Sequence, residues 1–184
     1  GVEELLADEV RGLLGEGVRC DAGRGGVTVE DTAERALRHV LRLNLGSRLA
    51  QRVLWLVNEG TYGDEHDVYE YARAVHWLDW ITPRQTLRVD VTAQRSPLRS
   101  IRFAALRVKD GLCDAMRDAA GERPSVDTER PDLPLVLHLG EQRVLQVHAE
   151  RDPAQREADV VGQRDHQGRV ARHRVEADLG QRLP

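Results

Sequence analysis

The chain has 184 residues and a formal net charge of −4 at pH 7, with 40% hydrophobic and 32% charged residues. This length allows one domain of ordinary size or two small ones. No apolar run approaches the roughly 18 residues that a transmembrane helix needs, so no membrane partner is expected. Because the net charge is negative, binding to a polyanion requires a local basic patch.

Cysteine usage and motif content exclude several classes of protein. The chain has two cysteines, Cys20 and Cys113, which are too few for a disulfide scaffold or a CxxC zinc site. This usage is typical of a reducing compartment, and we expect the protein to be cytoplasmic. No secretory leader follows Gly1. The sequence also lacks GxGxxG, Walker A, HExxH and GxSxG motifs, so we predict no catalytic residue and no metal site.

Apolar spacing predicts a mixed α and β chain. The predicted helices cover residues 2–14, 33–41, 68–77 and 97–120. The predicted strands cover residues 27–29, 52–57, 86–93, 133–139 and 143–148, and the last two are expected to form a hairpin. Asp31 or Thr32 is expected to cap the second helix, Ser96 is expected to cap the longest helix, and Gly121 is expected to end it. This order indicates an α+β (mixed α/β) fold in two small subdomains, divided near residues 44–60.

The longest predicted helix has one apolar side, expected to face the core. Its predicted core residues are Ile101, Ala104, Ala105, Val108, Leu112, Ala115, Met116 and Ala119. Phe103, Leu106 and Cys113 lie on the opposite side of the helix. We expect these three to pack against a neighbouring strand or domain, and stacking on nucleic-acid bases is the alternative.

A row of basic residues runs along the same helix without an acidic residue between positions 95 and 109. The candidate RNA-binding residues are Arg95, Arg99, Arg102, Arg107 and Lys109, with Arg123 and Arg130 in the following loop. Several guanidinium groups on one rigid element suit a phosphate backbone, because each can make bidentate contacts. The alternative is an ordinary solvated helix face in an arginine-rich chain, in which Lys109 is the only lysine.

Residues 149–184 differ from the rest of the chain. They contain no aromatic residue and few large apolar residues. Because so little apolar surface is available to offset the entropy of ordering, we expect this tail to be disordered or loosely attached.

Several segments together resemble a known family. GVEELLADEV, SRLAQRVLWL, FAALRVKDGLCD and RPSVDTERPDL occur here in the same order as in the N-terminal portion of bacterial 23S rRNA guanine-N2 methyltransferases. The resemblance covers about residues 1–147. It implies a ferredoxin-like subdomain at residues 1–46, with its first strand missing, and a THUMP RNA-binding domain at residues 47–148, ahead of the divergent tail at 149–184.

The resemblance also assigns roles to individual residues. It places Ser47, Arg48 and Arg52 in the segment that joins the two subdomains. Among the basic residues, it places Arg99, Arg107, Lys109 and Arg123 at motif positions of the family. Asp127 also matches a motif position, and together with Asp110 it is expected to orient arginines or cap structure rather than contact RNA.

The function that the resemblance implies is substrate recognition for an rRNA methyltransferase. The partner would be 23S rRNA or its precursor, delivered to a C-terminal methyltransferase domain of the parent protein. S-adenosyl-L-methionine (SAM) is expected only in that domain, so this chain alone would hold no cofactor and transfer no methyl group. Two alternatives stay open: a protein-interaction module that docks a catalytic partner through Phe103 and Leu106, and the THUMP module of a tRNA-modifying enzyme.

Overall fold

A computed structural model describes residues 1–23, 25–140, 144–150 and 172–179. The helices are α1 (Val2–Leu14), α2 (Ala33–Gly46), α3 (Glu65–Arg73) and α4 (Ile101–Ala120), with a 3-10 turn at Trp77–Asp79. The strands are β1 (Cys20–Gly23), β2 (Gly26–Thr32), β3 (Arg52–Thr61), β4 (Thr86–Ala93), β5 (Ser125–Val126), β6 (Leu133–Leu139), β7 (Val144–Glu150) and β8 (Arg172–Asp178). The mixed content confirms the α+β class.

The chain divides into two compact units. Unit 1 comprises residues 1–56 and 151–184, and unit 2 comprises residues 57–150. The change of unit after Leu56 falls inside β3 and within the predicted interval of 44–60. Residues 47–56 therefore group with the N-terminal part of the chain, whereas the family resemblance assigns them to the following domain.

In unit 1, α1 and α2 pack on a sheet with the strand order β1-β2-β8-β3, in which neighbouring strands are antiparallel. The core is formed by the apolar sides of both helices and the inward positions of the strands. Its fully buried members include Leu6, Val10, Val29, Val40 and Val175. Two helices against a four-stranded antiparallel sheet is the arrangement expected of a ferredoxin-like subdomain.

Strand β8 corrects the expectation of a disordered tail. Residues 172–178 pair along the whole of β2 and with Arg52–Trp55 of β3. Val175 and Ala177 are fully buried between these neighbours. The expectation of disorder is therefore wrong for residues 172–178, because even a polar segment is ordered when it completes a sheet at its centre. Residues 151–171 and 180–184 lie outside the described residues.

Unit 2 contains the strand order β7-β6-β4-β5. The predicted hairpin is confirmed, since β6 and β7 are antiparallel, whereas β4 is parallel to both β5 and β6. Helix α3 packs closely on α4 at Gly111, where an added Cβ would lie 2.6 Å from the carbonyl oxygen of Tyr69. Trp77 is buried beside this contact and donates a hydrogen bond to the carbonyl oxygen of Ala72 at 2.6 Å.

Several predicted boundaries shift. Helix α4 begins at Ile101 and not at Pro97, because Ser100 accepts the hydrogen bond from the amide of Phe103. Ser96 instead accepts hydrogen bonds from the amide of Leu98 and the hydroxyl of Tyr62. Gly121 ends α4 in the left-handed conformation, with φ of 76°, as predicted.

Other elements are longer or shorter than predicted. Strand β3 continues to Thr61, four residues beyond the predicted end at 57, and β1 was not predicted at all. Helix α3 stops at Arg73, short of the predicted end near Trp77. Buried and exposed residues do not alternate in the two strand segments that were missed. The sequence there therefore lacks the alternation of apolar and polar residues that predicts a strand.

The predicted core side of α4 is only partly right. Ala104, Val108, Leu112 and Met116 are fully buried, but Ile101 is 40% exposed at the first position of the helix. Gly111, Leu112 and Cys113 are buried in succession, which requires neighbours on more than one side of the helix at this point.

Candidate nucleic-acid interface

The first turn of α4 presents two arginines to solvent. Arg99 lies just before the cap residue Ser100, and Arg102 lies in the first turn. Both are exposed, and neither forms an ion pair with any carboxylate in the described part of the chain. The first turn contains no acidic residue, so the positive end of the helix dipole adds to the charge of both guanidinium groups. This end of the helix is therefore suited to a phosphate group.

Two apolar side chains follow Arg102 on α4. Phe103 is 47% exposed and Leu106 is 50% exposed, and they occupy the same side of α4 at a spacing of three residues. Neither is buried by a strand in the described part of the chain, whereas Cys113, the third member of the set, is buried. Packing of Phe103 and Leu106 against a further domain remains a prediction. We call Arg99, Arg102, Phe103 and Leu106 the α4 front surface. Guanidinium groups next to an exposed aromatic ring are the combination that single-stranded nucleic acid binds.

The second half of the basic row has different surroundings. Arg107 lies 3.9 Å from a carboxylate oxygen of Asp110, and the Lys109 ammonium lies 3.1 Å from the other. The Arg107 guanidinium also stacks over the ring of Tyr69, 4.4 Å from its centroid. A cation on an aromatic face with a carboxylate nearby stabilises the contact between α3 and α4.

Arg123 belongs to the same acid-paired group. Its guanidinium donates to Asp114 at 2.6 Å, and Asp114 accepts a second hydrogen bond from the hydroxyl of Tyr69 at 3.0 Å. Arg73 of α3 bridges Tyr69 and Asp118 at 3.1 and 2.9 Å. We call Arg107, Lys109 and Arg123, with Asp110 and Asp114, the acid-paired cluster. These five side chains, with Tyr69 and Arg73, tie α3, α4 and the loop after α4 together.

The two remaining predicted residues lie in loops of unit 2. Arg95 is exposed, and its backbone has φ of 50°, a left-handed conformation that residues other than glycine rarely adopt. Arg130 is exposed in the loop between β5 and β6, where its amide donates to Asp127 at 3.0 Å. Three of the seven predicted residues, Arg107, Lys109 and Arg123, are thus paired with carboxylates. RNA contact by each of the seven remains a prediction.

Asp127 organises the loop that carries Arg130. Its carboxylate accepts hydrogen bonds from the amides of Arg130 and Glu129 at 3.0 and 2.8 Å. These two bonds hold the pKa of Asp127 below its ordinary value, because they stabilise the ionised carboxylate. In the structure Asp127 caps this turn and Asp110 pairs with basic residues, as expected for both.

The predicted junction residues Ser47 and Arg48 are held by helix α1. The carboxylate of Glu9 accepts hydrogen bonds from the Ser47 hydroxyl at 2.5 Å and from the amides of Arg48 and Leu49 at 2.8 and 3.3 Å. Partial burial raises the pKa of Glu9, but these bonds outweigh that effect and leave the pKa below its ordinary value. The segment therefore follows α2 in a defined turn within unit 1.

Arg52, the third predicted junction residue, has a structural partner. It donates two hydrogen bonds to one carboxylate oxygen of Asp178, at 3.1 and 2.5 Å. Both side chains are partly buried, so this charged contact fixes the end of β8 against the start of β3.

A second group of arginines was not predicted as a site from the sequence. Arg35, Arg38 and Arg42 recur on α2 at a spacing of three and four residues, which places them on one side of that helix. With Arg19 they line a cleft in unit 1. Their spacing was visible in the sequence, in a stretch from 35 to 42 that contains no acidic residue, but their place beside Arg19 was not.

Metal-binding groups, cysteines and membrane-spanning helices are considered next for the described residues. No group of three or more histidine, cysteine or acidic side chains there is arranged to hold a metal ion. Both cysteines are free thiols, and burial raises the pKa of each. Among the same residues, no helix has the length and apolar character that crossing a bilayer requires.

Comparison with known proteins identifies the domain that carries the α4 front surface. Residues 62–145 match the family model of the THUMP domain. The ribosomal RNA large subunit methyltransferase K/L of Syntrophotalea carbinolica is 37% identical over 183 residues, which are 100% of this chain and 23% of that protein. The protein of the same name from Ectopseudomonas mendocina is 38% identical over 139 residues, or 76% of this chain and 18% of the relative. The chain thus spans about a fifth of the length of these relatives.

Solved structures show the same fold at low identity. A predicted N6-adenine-specific DNA methylase from Listeria monocytogenes superposes with a TM-score of 0.66 at 18% identity, covering 82% of this chain and 37% of that one. A possible methylase from Clostridium difficile gives a TM-score of 0.65 at 17% identity, covering 81% and 38%. The family resemblance drawn from the sequence is confirmed: this chain contains a THUMP domain, an RNA-binding module, and is similar to one part of the large-subunit rRNA methyltransferases K/L.

Proposed function

We propose that this chain recognises 23S rRNA, or its precursor, for a guanine-N2 methyltransferase whose catalytic domain lies outside it. The observation that carries the proposal is the α4 front surface, where Arg99 and Arg102 are exposed without carboxylate partners beside Phe103 and Leu106. The THUMP match and the similarity to the K/L methyltransferases support RNA as the ligand. Cytoplasmic residence belongs to the same proposal and is supported by the two free thiols.

The methyl donor is assigned to the separate catalytic domain. SAM carries a positively charged sulfonium, which the four arginines of the cleft in unit 1 would repel. The residues of this chain therefore do not fit SAM at that cleft. On this proposal, the chain binds and orients the RNA and performs no chemical step.

A double charge reversal tests the RNA site. Arg99→Glu with Arg102→Glu should weaken binding of in vitro transcribed 23S rRNA by at least about tenfold, since two phosphate contacts are lost and two repulsive charges are added. The slope of log affinity against log salt should fall by about 1.4–1.8, at 0.7–0.9 for each phosphate contact. Arg84→Glu is the matched control, because Arg84 is an exposed arginine of the same unit with no ion pair in the described residues.

Three results would decide the proposal. Equal loss of affinity in the double variant and the control would contradict it, because the effect would then be one of overall charge. Equal affinity for a tRNA transcript would remove the rRNA assignment and favour a tRNA-modifying parent. Undiminished RNA binding by the double variant would refute the α4 front surface as the contact.

A second candidate function rests on the exposure of Phe103 and Leu106. Half-exposed apolar residues at this spacing suit docking of a catalytic partner as well as stacking of bases. Phe103→Ala with Leu106→Ala should weaken RNA binding a few-fold if the ring stacks on a base. The docking function is correct if the same variant no longer co-sediments with a separately expressed methyltransferase domain and still binds RNA.

A further inference from the structure

A cleft of about 560 Å³ lies in unit 1, and its lining includes none of the residues that the proposed function uses. Its walls are the turn after α1, the end of β2 and one side of α2. Four arginines line it: Arg19, Arg35, Arg38 and Arg42. The volume lies within the range of cavities that hold small ligands or single groups of a larger one.

The charges around the cleft are arranged by depth. The side chains of Arg19, Arg35 and Arg38 are 70–72% exposed, so their guanidinium groups reach into solvent. The two carboxylates of the lining, Asp31 and Glu30, are only 16% and 28% exposed. A ligand that approaches from solvent therefore meets the arginines first.

Both inner carboxylates already have partners. Asp31 accepts a hydrogen bond from Nε2 of His39 at 2.9 Å, and Glu30 accepts two from Arg174 at 3.0 and 2.8 Å. His39 is 93% buried, since its exposed fraction is 7%, and its Nδ1 is a buried atom with no partner in the described part of the chain. Both inner carboxylates are therefore held by basic side chains of unit 1.

The arginines themselves are available to a ligand. Arg42 forms no ion pair in the described ranges of the chain, and Arg35 lies 4.0 Å from Asp31. Arg38 pairs with Glu34 at the exposed surface of α2. Exposed pairs of this kind contribute little to stability, so an anion with several acceptor oxygens can replace the carboxylate.

We propose that this cleft binds a phosphate group, with Arg35 and Arg42 as its main ligands and Arg19 and Arg38 at its mouth. Bidentate contacts from guanidinium groups on one rigid helix match the geometry of phosphate oxygens. The assignment of that phosphate to an RNA strand rests on the proposed function. The shared chemistry is a phosphate ester, which a free mononucleotide also carries.

The test reverses charge inside the cleft of the whole chain. Arg35→Glu with Arg42→Glu should weaken binding of in vitro transcribed 23S rRNA about tenfold and lower the salt slope by about 0.7–1.8, for one or two lost phosphate contacts. Arg35→Lys with Arg42→Lys keeps the charge and should retain most of the slope. Arg84→Glu serves as the control in unit 2, and thermal unfolding confirms that each variant is folded.

The outcomes distinguish RNA binding at the cleft from RNA binding at the α4 front surface. Loss of RNA affinity in the cleft variant, independent of and additive to the loss in the Arg99 and Arg102 variant, supports both proposals. Unchanged affinity in the cleft variant, with loss in the α4 variant, overturns the cleft and leaves the proposed function standing. If the unmodified chain binds no RNA, the proposed function fails, and titration with adenosine 5′-monophosphate decides the cleft: binding that the cleft variant loses supports it, and no binding overturns it.

Discussion

The two halves of the basic row on α4 carry the same residue types and have opposite surroundings. Arg99 precedes the cap of α4 and Arg102 lies in its first turn, both without a carboxylate partner in the described residues, whereas Arg107 and Lys109 are paired with Asp110. Asp110 on the same helix supplies this pairing, and α3 adds a second contact by bringing Tyr69 to Arg107. A cation that packs against a neighbouring element stabilises the fold, and one that extends beyond this contact is available to a ligand.

This comparison predicts a division of labour along one helix. Substitutions of α4 residues that contact α3 should lower the free energy of unfolding, and substitution of Arg102 in the first turn should lower RNA affinity. Four measurements test this division, in order of decreasing effect.

The close contact between α3 and α4 should be the most sensitive position. Gly111→Ala places a Cβ 2.6 Å from the carbonyl oxygen of Tyr69 and 3.1 Å from the amide nitrogen of Arg73, both of them backbone atoms that cannot rotate away. We expect the free energy of unfolding to fall by about 2–3 kcal/mol, as for an overpacked core, measured by urea denaturation. Gly12→Ala in α1 is the control. Its Cβ meets nothing within 4 Å, and helix propensity should make it neutral or stabilising.

Asp114→Asn should cause the second-largest loss in the free energy of unfolding. The substitution removes the charge that receives hydrogen bonds from Arg123 and the Tyr69 hydroxyl. We expect a loss of about 1–2 kcal/mol in chemical denaturation with RNA affinity unchanged. Asp110→Asn, whose partners are both on its own helix, should cost less than about 0.5 kcal/mol. A larger effect for Asp110 than for Asp114 would show that local pairs, and not the α3–α4 contact, hold the second half of the row.

Glu9 provides a reference in unit 1, where no part of α4 is involved. Glu9→Gln should lower the free energy of unfolding by about 1 kcal/mol at pH 7, since the carboxylate accepts three hydrogen bonds. Because the folded pKa is depressed, this stabilisation is present above the unfolded pKa and disappears as pH falls through the folded pKa. The two proteins should therefore converge in acid. Glu16→Gln, an exposed change with no hydrogen bond in the described residues, is the control and should leave the free energy of unfolding at pH 7 unchanged.

A pair of alanine substitutions compares Arg102 with Arg107 directly and has the smallest expected effects. Arg102→Ala should reduce RNA affinity a few-fold without moving the melting temperature, because the side chain is exposed. Arg107→Ala should lower stability by about 0.5–1 kcal/mol through loss of its contact with Tyr69, and should leave RNA affinity nearly unchanged. If both variants lose RNA affinity equally, the ion pair with Asp110 does not withhold Arg107 from RNA, and the division along α4 is wrong.

Part of the candidate site could be predicted from the sequence. The run of basic residues from Arg95 to Lys109, the apolar side of the helix and the glycine that ends it are local features, and the structure places them on one helix and its preceding loop. The ion pair of Arg107 with Asp110 is local, so this part of its difference from Arg102 could be predicted from the sequence. The contact of Arg107 with Tyr69 could not, because these two residues are far apart along the chain and meet only when α3 packs on α4.

The same contrast applies to the arginines of the cleft and to the tail. Arg35, Arg38 and Arg42 are spaced along one helix, but their common cleft with Arg19 needs the turn after α1 beside α2. Strand β8 has little apolar content and no isolated tendency to form a strand. It is ordered because β2 and β3 leave a place between them that seven residues of backbone can fill.

Local features of the sequence predicted the kinds of elements, the end of the longest helix and the presence of a basic row, because helical and strand periods and residue charges are properties of neighbouring residues. The THUMP domain was implied by the family resemblance. Packing between distant parts of the chain brings Tyr69 to Arg107, completes the sheet of unit 1 with residues 172–178 and gathers four arginines in one cleft. Each of these depends on side chains or strands far apart along the chain, whose distances no local pattern encodes.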